Sequence, residues 1–305
     1  MRVTLALVLL LPLLASAAEG PASDTPRAPR LPEGVRVFRD LEYVTNGHAR
    51  QKLDVFLRAT GSNWPLIVWV HGGAWLEGSK ESPPALRFLR DGYAVASINY
   101  RLSQHAIFPA QIQDCKAAIR WLRANAKRFG YDAGHIGVWG GSAGGHLVAL
   151  LGTSGGVKEF AAVGANTNTS DRVQCVVDFF GPTDLTLMAK QAPADSAIEH
   201  DAPNSPESKL LGGPVQQRQE LARTANPITY VTSDDPPFLI LHGDKDNVVP
   251  IGQSELLQAA LKKAGVDSTF FVVKGAGHDF RNRPDLDPIV SEFFAKHLKP
   301  GGGGK

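Results

Sequence analysis

Cysteine is scarce in this chain: 305 residues hold two, Cys115 and Cys175. A fold stapled by disulfides is thereby excluded. Charge of one sign is also missing, since 32 lysines and arginines face 30 acids for a formal net charge of +2. No block of five or six like charges occurs, which leaves no electrostatic footprint for nucleic acid or another polyanion. Apolar runs long enough to span a bilayer are absent too; the longest, at the N-terminus, is about a dozen residues against the ~20 a spanning helix needs. What is present is 43% apolar residues over a length that can bury a sizeable α/β core.

The ends carry no chemistry. Arg2, the apolar run 3–14 and the small residues Ala15-Ser16-Ala17-Ala18 form a secretory signal pattern with an Ala-x-Ala cleavage site. The expectation is a signal peptide over 1–18, a secreted or periplasmic mature protein and no stable membrane insertion after cleavage. Pro21, Pro26, Pro29 and Pro32 make 19–36 an extended tether, because proline fixes φ and donates no backbone hydrogen bond. Residues 300–305 form a Gly-rich tail, leaving 37–299 for one domain.

Within that domain, runs rich in β-branched and aromatic residues recur at 35–44, 53–57, 66–70, 93–98, 136–139, 173–180, 238–241 and 269–273. Helical patterns fall at 84–90, 109–129, 145–151, 254–264 and 288–298. In the clearest, Ile112, Cys115, Ile119, Leu122, Ala126 and Phe129 form a stripe of helix period that Gly130 ends. The first two strands lack a helix between them and suit a hairpin. Thereafter strand and helix alternate, which predicts an α/β fold with a mostly parallel sheet covered on both faces. Residues 181–232 break the rhythm with scattered prolines and Gly212-Gly213; a connection that long inside one domain is read as a partly helical lid or pocket wall. Cys115 and Cys175 both fall on apolar faces and read as core filler, with pairing left open.

Gly140-Gly141-Ser142-Ala143-Gly144 has the form of a strand–Ser–helix elbow, which pushes a serine hydroxyl into a cleft and lets strand and helix approach through glycine. Gly152-Thr153-Ser154-Gly155-Gly156 has the same form. Context separates them: Ser142 follows a strand and opens a helix, whereas Ser154 follows that helix among glycines that terminate it. Ser142 is the candidate nucleophile. His71-Gly72-Gly73-Ala74-Trp75 directly follows the strand 66–70, so Gly72, Gly73 and Ala143 are the candidate N–H donors to a developing oxyanion. His71 reads as a buried orienting residue and Trp75 as a wall of the substrate site.

Of nine histidines, His278 in Gly275-Ala276-Gly277-His278-Asp279 lies on a loop just after the last strand, on the side where such sheets bind ligands. It is the candidate base. His146 opens the helix behind Ser142, and His242 reads as packing at a strand end. The acid comes from the loop after the penultimate strand, which offers Asp244 and Asp246; Asp244 could as easily shape the turn, and Asp246, anchored by Val248-Val249-Pro250, is favoured. The chain order Ser142, Asp246, His278 is that of one hydrolase fold. No zinc-type His/Glu or Cys/His spacing and no phosphate-binding Gly-Lys-Ser/Thr motif occurs, so neither a metal nor a cofactor is expected.

Together these motifs resemble the α/β-hydrolase superfamily. Asn99-Tyr100-Arg101-Leu102, the stretch from Gly137 through Ser142 to His146, Phe180-Gly181-Pro182-Thr183-Asp184 and Pro236-Pro237-Phe238 resemble the bifunctional feruloyl/acetyl-xylan esterase group of secreted serine esterases. The resemblance implies an eight-stranded, mostly parallel sheet with strand 2 antiparallel, and an acyl-enzyme formed on a Ser-His-Asp triad. It further implies an ester substrate that is a small molecule or borne on a polysaccharide. Kynurenine formamidase-like and peptidase-like hydrolases share the His-Gly-Gly-x-Trp and Ser elements, so an amide-directed hydrolase stays open, as does a non-catalytic binding module on the same fold.

Overall fold

Each expected strand is present in the computed structural model, which describes residues 31, 33–280 and 283–299. The expected signal segment, the tail and most of the tether lie outside these residues. The strands are β1 (Arg36–Glu42), β2 (Lys52–Leu57), β3 (Trp64–Val70), β4 (Ala94–Ile98), β5 (Tyr131–Gly141), β6 (Cys175–Phe179), β7 (Phe238–Gly243) and β8 (Ser268–Val273). They form one sheet in the order β1-β2-β4-β3-β5-β6-β7-β8. Strand β2 runs antiparallel to both its neighbours and every other pairing is parallel. This is the α/β-hydrolase architecture that the resemblance implied.

The helices are α1 (Ala110–Phe129), α2 (Ala143–Thr153), α3 (Met188–Gln191), α4 (Pro206–Leu211), α5 (Gln219–Ala225), α6 (Gly252–Ala264) and α7 (Asp287–Leu298). Side chains alternate across the sheet because the strand period is two. Leu66, Val68 and Val70 pack on one face with Ile112, Ile119 and Leu122 of α1, Leu147 and Leu151 of α2 and Leu257 and Leu261 of α6. Ile67, Trp139, Val177 and Leu239 pack on the other with Phe88 and with Val290, Phe294 and Leu298 of α7. Among the described residues no helix is long and apolar enough to cross a membrane.

This layering settles the two cysteines. Cys115 sits in the core on the α1 side and Cys175 in the core on the α7 side. Both are buried free thiols with the sheet between them. The segment 181–232 carries α3, α4, α5 and several 3-10 turns. It is tied down at several places, among them Ala225 O, which accepts from His146 Nε2 at 2.7 Å, Leu210 O, which accepts from Phe108 N at 2.9 Å, Ala197 N, which donates to Asn247 O at 2.8 Å, and the Thr183 and Asp184 amides, which donate to Gln253 Oε1 at 2.7 and 2.8 Å.

Candidate active site

Ser142 stands between the central strand β5 and helix α2 with φ 57° and ψ −125°, a conformation that costs a non-glycine residue on the order of 1–3 kcal/mol. The surrounding backbone enforces it: Ser142 N donates to Phe179 O on β6 at 2.9 Å and Ser142 O accepts from His146 N at 3.0 Å. The turn closes only over glycine, because a Cβ on Gly140 would lie 2.4 Å from Gly144 O. The other Ser match is buried at the C-terminus of α2, its hydroxyl bonded to Leu150 O.

His278 reaches the elbow from the loop after β8. Its Nδ1 lies 2.7 Å from Asp246 Oδ2 and its Nε2 2.9 Å from Ser142 Oγ. A carboxylate only accepts, so Nδ1 carries the proton, and the neutral ring has its Nε2 lone pair free to accept the Ser142 hydroxyl. The ring is flanked by Phe180, centroids 4.5 Å apart. Asp246 is 5% exposed. Burial alone would raise its pKa, but the hydrogen bonds of His242 and His278, the positive charge His278 takes on when protonated and the Val249 amide hold it well below the usual carboxylate range. The alternative acid, Asp244, accepts the Gly275 amide at 2.6 Å and shapes the turn.

The loop after β3 abuts the elbow: a Cβ on Gly72 would come 2.7 Å from Gly141 O and 3.4 Å from Ser142 Cβ. Ala143 is the first residue of α2, where the N–H has no intrahelical acceptor. His71 holds the loop from behind. Its Nδ1 donates to Gly72 O at 2.8 Å, its own carbonyl accepts Tyr100 Oη at 2.9 Å, and its ring stacks on Tyr100 at 4.3 Å. Arg50 completes the clamp by donating to His71 Nε2 at 3.1 Å, Gly78 O at 2.8 Å and Tyr100 O at 2.9 Å. This cation on the His71 imidazole carries no motif and was not singled out in the sequence.

Trp75 sits differently from its expected place. It is 2% exposed, within the core on the α1 side, and its ring meets His146 edge-on at 5.3 Å. A cavity of about 370 Å³ beside His278 is walled by Trp69, Trp139, Phe179, Phe180 and Phe280, with Arg87 and Asp287 also in its lining. These residues come from the α7 face of the sheet and the loop that follows β8, and none comes from 181–232. The aromatic wall was missed because its members are dispersed over three strand ends and a loop.

Burial pushes His71 and His146 down to about 4, helped at His71 by the nearby Arg50 charge and opposed at each by a bond to a backbone carbonyl. As pH falls below about 6.5, the unfolded chain takes up protons that the native imidazoles refuse until about pH 4. Stability present above that window is therefore lost through it, on the order of 3 kcal/mol per histidine. Thermal midpoints between pH 7 and 4.5 should drop. His146→Gln, which keeps a donor for Ala225 O without a basic nitrogen, should flatten the slope by close to one proton, and an unchanged slope would refute the assignment.

The BD-FAE family model matches residues 53–261. The chain belongs to the BD-FAE family. Esterase LipQ of Mycobacterium tuberculosis is 34% identical over 248 residues, covering 79% of this chain and 56% of that protein. The chain spans a little over half the length of the curated relatives it matches first. A solved truncated form of a carbohydrate esterase from gut microbiota superposes with a TM-score of 0.78 at 33% identity, covering 91% of this chain and 99% of that one. A bifunctional GH43-CE of Bacteroides eggerthii gives 0.78 at 36% identity, covering 86% of this chain and 35% of that one. The BD-FAE match spans β2 to α6 and so includes Ser142, Asp246, Gly72, Gly73 and Ala143. His278 lies beyond its end.

Proposed function

We propose that this BD-FAE member is an exported serine carboxylic-ester hydrolase acting on short acyl or feruloyl esters of carbohydrates. The observation that carries the reading is the unbroken chain Ser142 Oγ, His278 Nε2, His278 Nδ1, Asp246 Oδ2, with contacts of 2.9 and 2.7 Å ending on a buried, ionised carboxylate. His278 takes the hydroxyl proton as Ser142 Oγ attacks the ester carbonyl, and Asp246 stabilises the imidazolium so formed. The Gly72, Gly73 and Ala143 amides receive the oxyanion. Collapse expels the alcohol with the proton from His278; water then attacks the acyl-enzyme, and the same imidazole serves as base and acid a second time.

The aromatic cavity is assigned to the acyl group. Its volume and walls suit a ring, and it opens beside His278 and Gly141. The segment 181–232, bonded both to α2 and to the Asn247 turn, is assigned the wall on the alcohol side. The name of the carbohydrate-esterase neighbour supports a sugar alcohol.

Two measurements test this. Turnover of p-nitrophenyl acetate and methyl ferulate should exceed that of aryl formamides and aminoacyl amides, and acetate or ferulate should be released from acetylated or feruloylated xylan. Faster amide cleavage would move the protein to the amide-directed branch. Phe280→Ala should lower kcat/KM for feruloyl esters about tenfold, in line with ~0.5–1.5 kcal/mol for an aromatic contact beyond its buried area. Acetyl esters of the same alcohol should change far less, and an equal fall for both would remove the cavity from the acyl side.

A further inference from the structure

The Asp246 carboxylate carries a second imidazole. His242, near the end of β7, is fully buried, with Nε2 3.2 Å from Asp246 Oδ2 and 2.8 Å from Val249 O. Its Nδ1 lies 2.7 Å from Ser254 Oγ at the start of α6. A carbonyl only accepts, so Nε2 bears the proton, and this one N–H is shared between Val249 O and, as the longer arm, Asp246 Oδ2. In the neutral ring Nδ1 then accepts the Ser254 hydroxyl. The other carboxylate oxygen, Oδ1, accepts the Val248 and Val249 amides at 2.9 Å each. Oδ1 therefore meets two amides, and Oδ2 meets the His278 N–H at 2.7 Å and the shared His242 N–H at 3.2 Å, so rotation of the carboxylate weakens at least one of these contacts in a buried site.

We infer that His242, held by Ser254, is a positioning residue for ester hydrolysis, its Nε2–H fixing Asp246 Oδ2 at the angle from which it orients His278. This rests on the reading of Ser142, His278 and Asp246 as the reaction centre. The groups packed around His242 agree with it. A second acid that feels His242 is Asp178 on β6, which burial pushes up to about 7 against the opposing influence of the Gly181 amide and His242 itself. Its carboxyl is held far less acidic than that of Asp246, so Asp246 is the more firmly ionised of the two partners. Phe180 covers the imidazole at 6.3 Å.

The test compares His242→Leu, which removes the donor, with His242→Gln, whose amide returns an N–H to the Nε2 position, and with Ser254→Ala, which frees the far edge of the ring at little loss of volume. Activity on p-nitrophenyl acetate is scored per folded molecule, and the His278 Nδ1 proton is followed as a downfield NMR resonance. His242→Leu should lower kcat on the order of ten- to a hundredfold, part of the 10²–10⁴ that a positioned acid–base is worth, with KM within about twofold and the resonance shifted or broadened. His242→Gln should recover most of kcat and Ser254→Ala should lose severalfold. Equal loss in Gln and Leu, or unchanged kcat and resonance in Leu and Ala, would overturn the inference. Should His242→Leu not fold, Ser254→Ala carries the same comparison. An inactive wild type would count against the reaction centre alone, because the resonance reports the hydrogen bond whether or not turnover occurs and still decides on His242.

Discussion

Ser142→Ala should abolish ester turnover, with kcat down by about 10⁴-fold or more, and should no longer be labelled by an organophosphonate that derivatises the wild type. Asp246→Asn should fall by a similar order, ~10⁴, for a reason legible in the hydrogen bonds. Asp246 Oδ1 accepts two amides and Oδ2 faces two imidazole N–H groups. An asparagine oriented to satisfy the amides puts its NH₂ against both rings. His278 can relieve the clash by moving its proton to Nε2, and that nitrogen then cannot accept from Ser142. KM should change little, since neither substitution alters the aromatic cavity. Labelling of Ser142→Ala, turnover in Ser142→Ala within about a hundredfold of the wild type, or a loss of only a few-fold in Asp246→Asn, would sink the mechanism.

What the sequence made legible was whatever local chemistry enforces. The elbow was readable because strand, serine, helix and flanking glycines must coincide for the backbone to turn there, and the same test rejected Ser154. Strand β5 was read short: its first residues, Tyr131 to His135, include charged and small side chains, and they extend the strand only because Tyr131 pairs across an irregularity with Trp64. Trp75 was misread because neighbourhood to Gly72 and Gly73 says nothing of direction. With φ 56° at Trp75 itself the side chain turns into the core against His146. His242 looked like packing because its partners are four residues on around a turn and, for Ser254, on the next helix. The Arg50 clamp depends on a residue 21 positions before His71, a contact that only the folded sheet creates.

The second large effect is expected at Gly72. The loop carrying the Gly72 and Gly73 amides is pinned on one side by His71, whose Nδ1–H fixes the Gly72 carbonyl, and on the other by the elbow backbone. A Cβ added at Gly72 would lie 2.7 Å from Gly141 O, a backbone atom held in the central strand that cannot swing aside as a side-chain tip would. Gly72→Ala therefore has to displace the loop and its N–H groups from the oxyanion position. Removal of one such donor elsewhere costs ~2.7–4 kcal/mol of transition-state stabilisation, so kcat should fall about 10²–10³-fold. The loss should track weakened binding of a boronate or other tetrahedral-intermediate analogue, while KM for p-nitrophenyl acetate moves little, because the ground-state carbonyl gains less from these amides than the oxyanion does. If kcat stayed within a few-fold, or if analogue affinity were kept while kcat fell, the Gly72 loop would not be the oxyanion site.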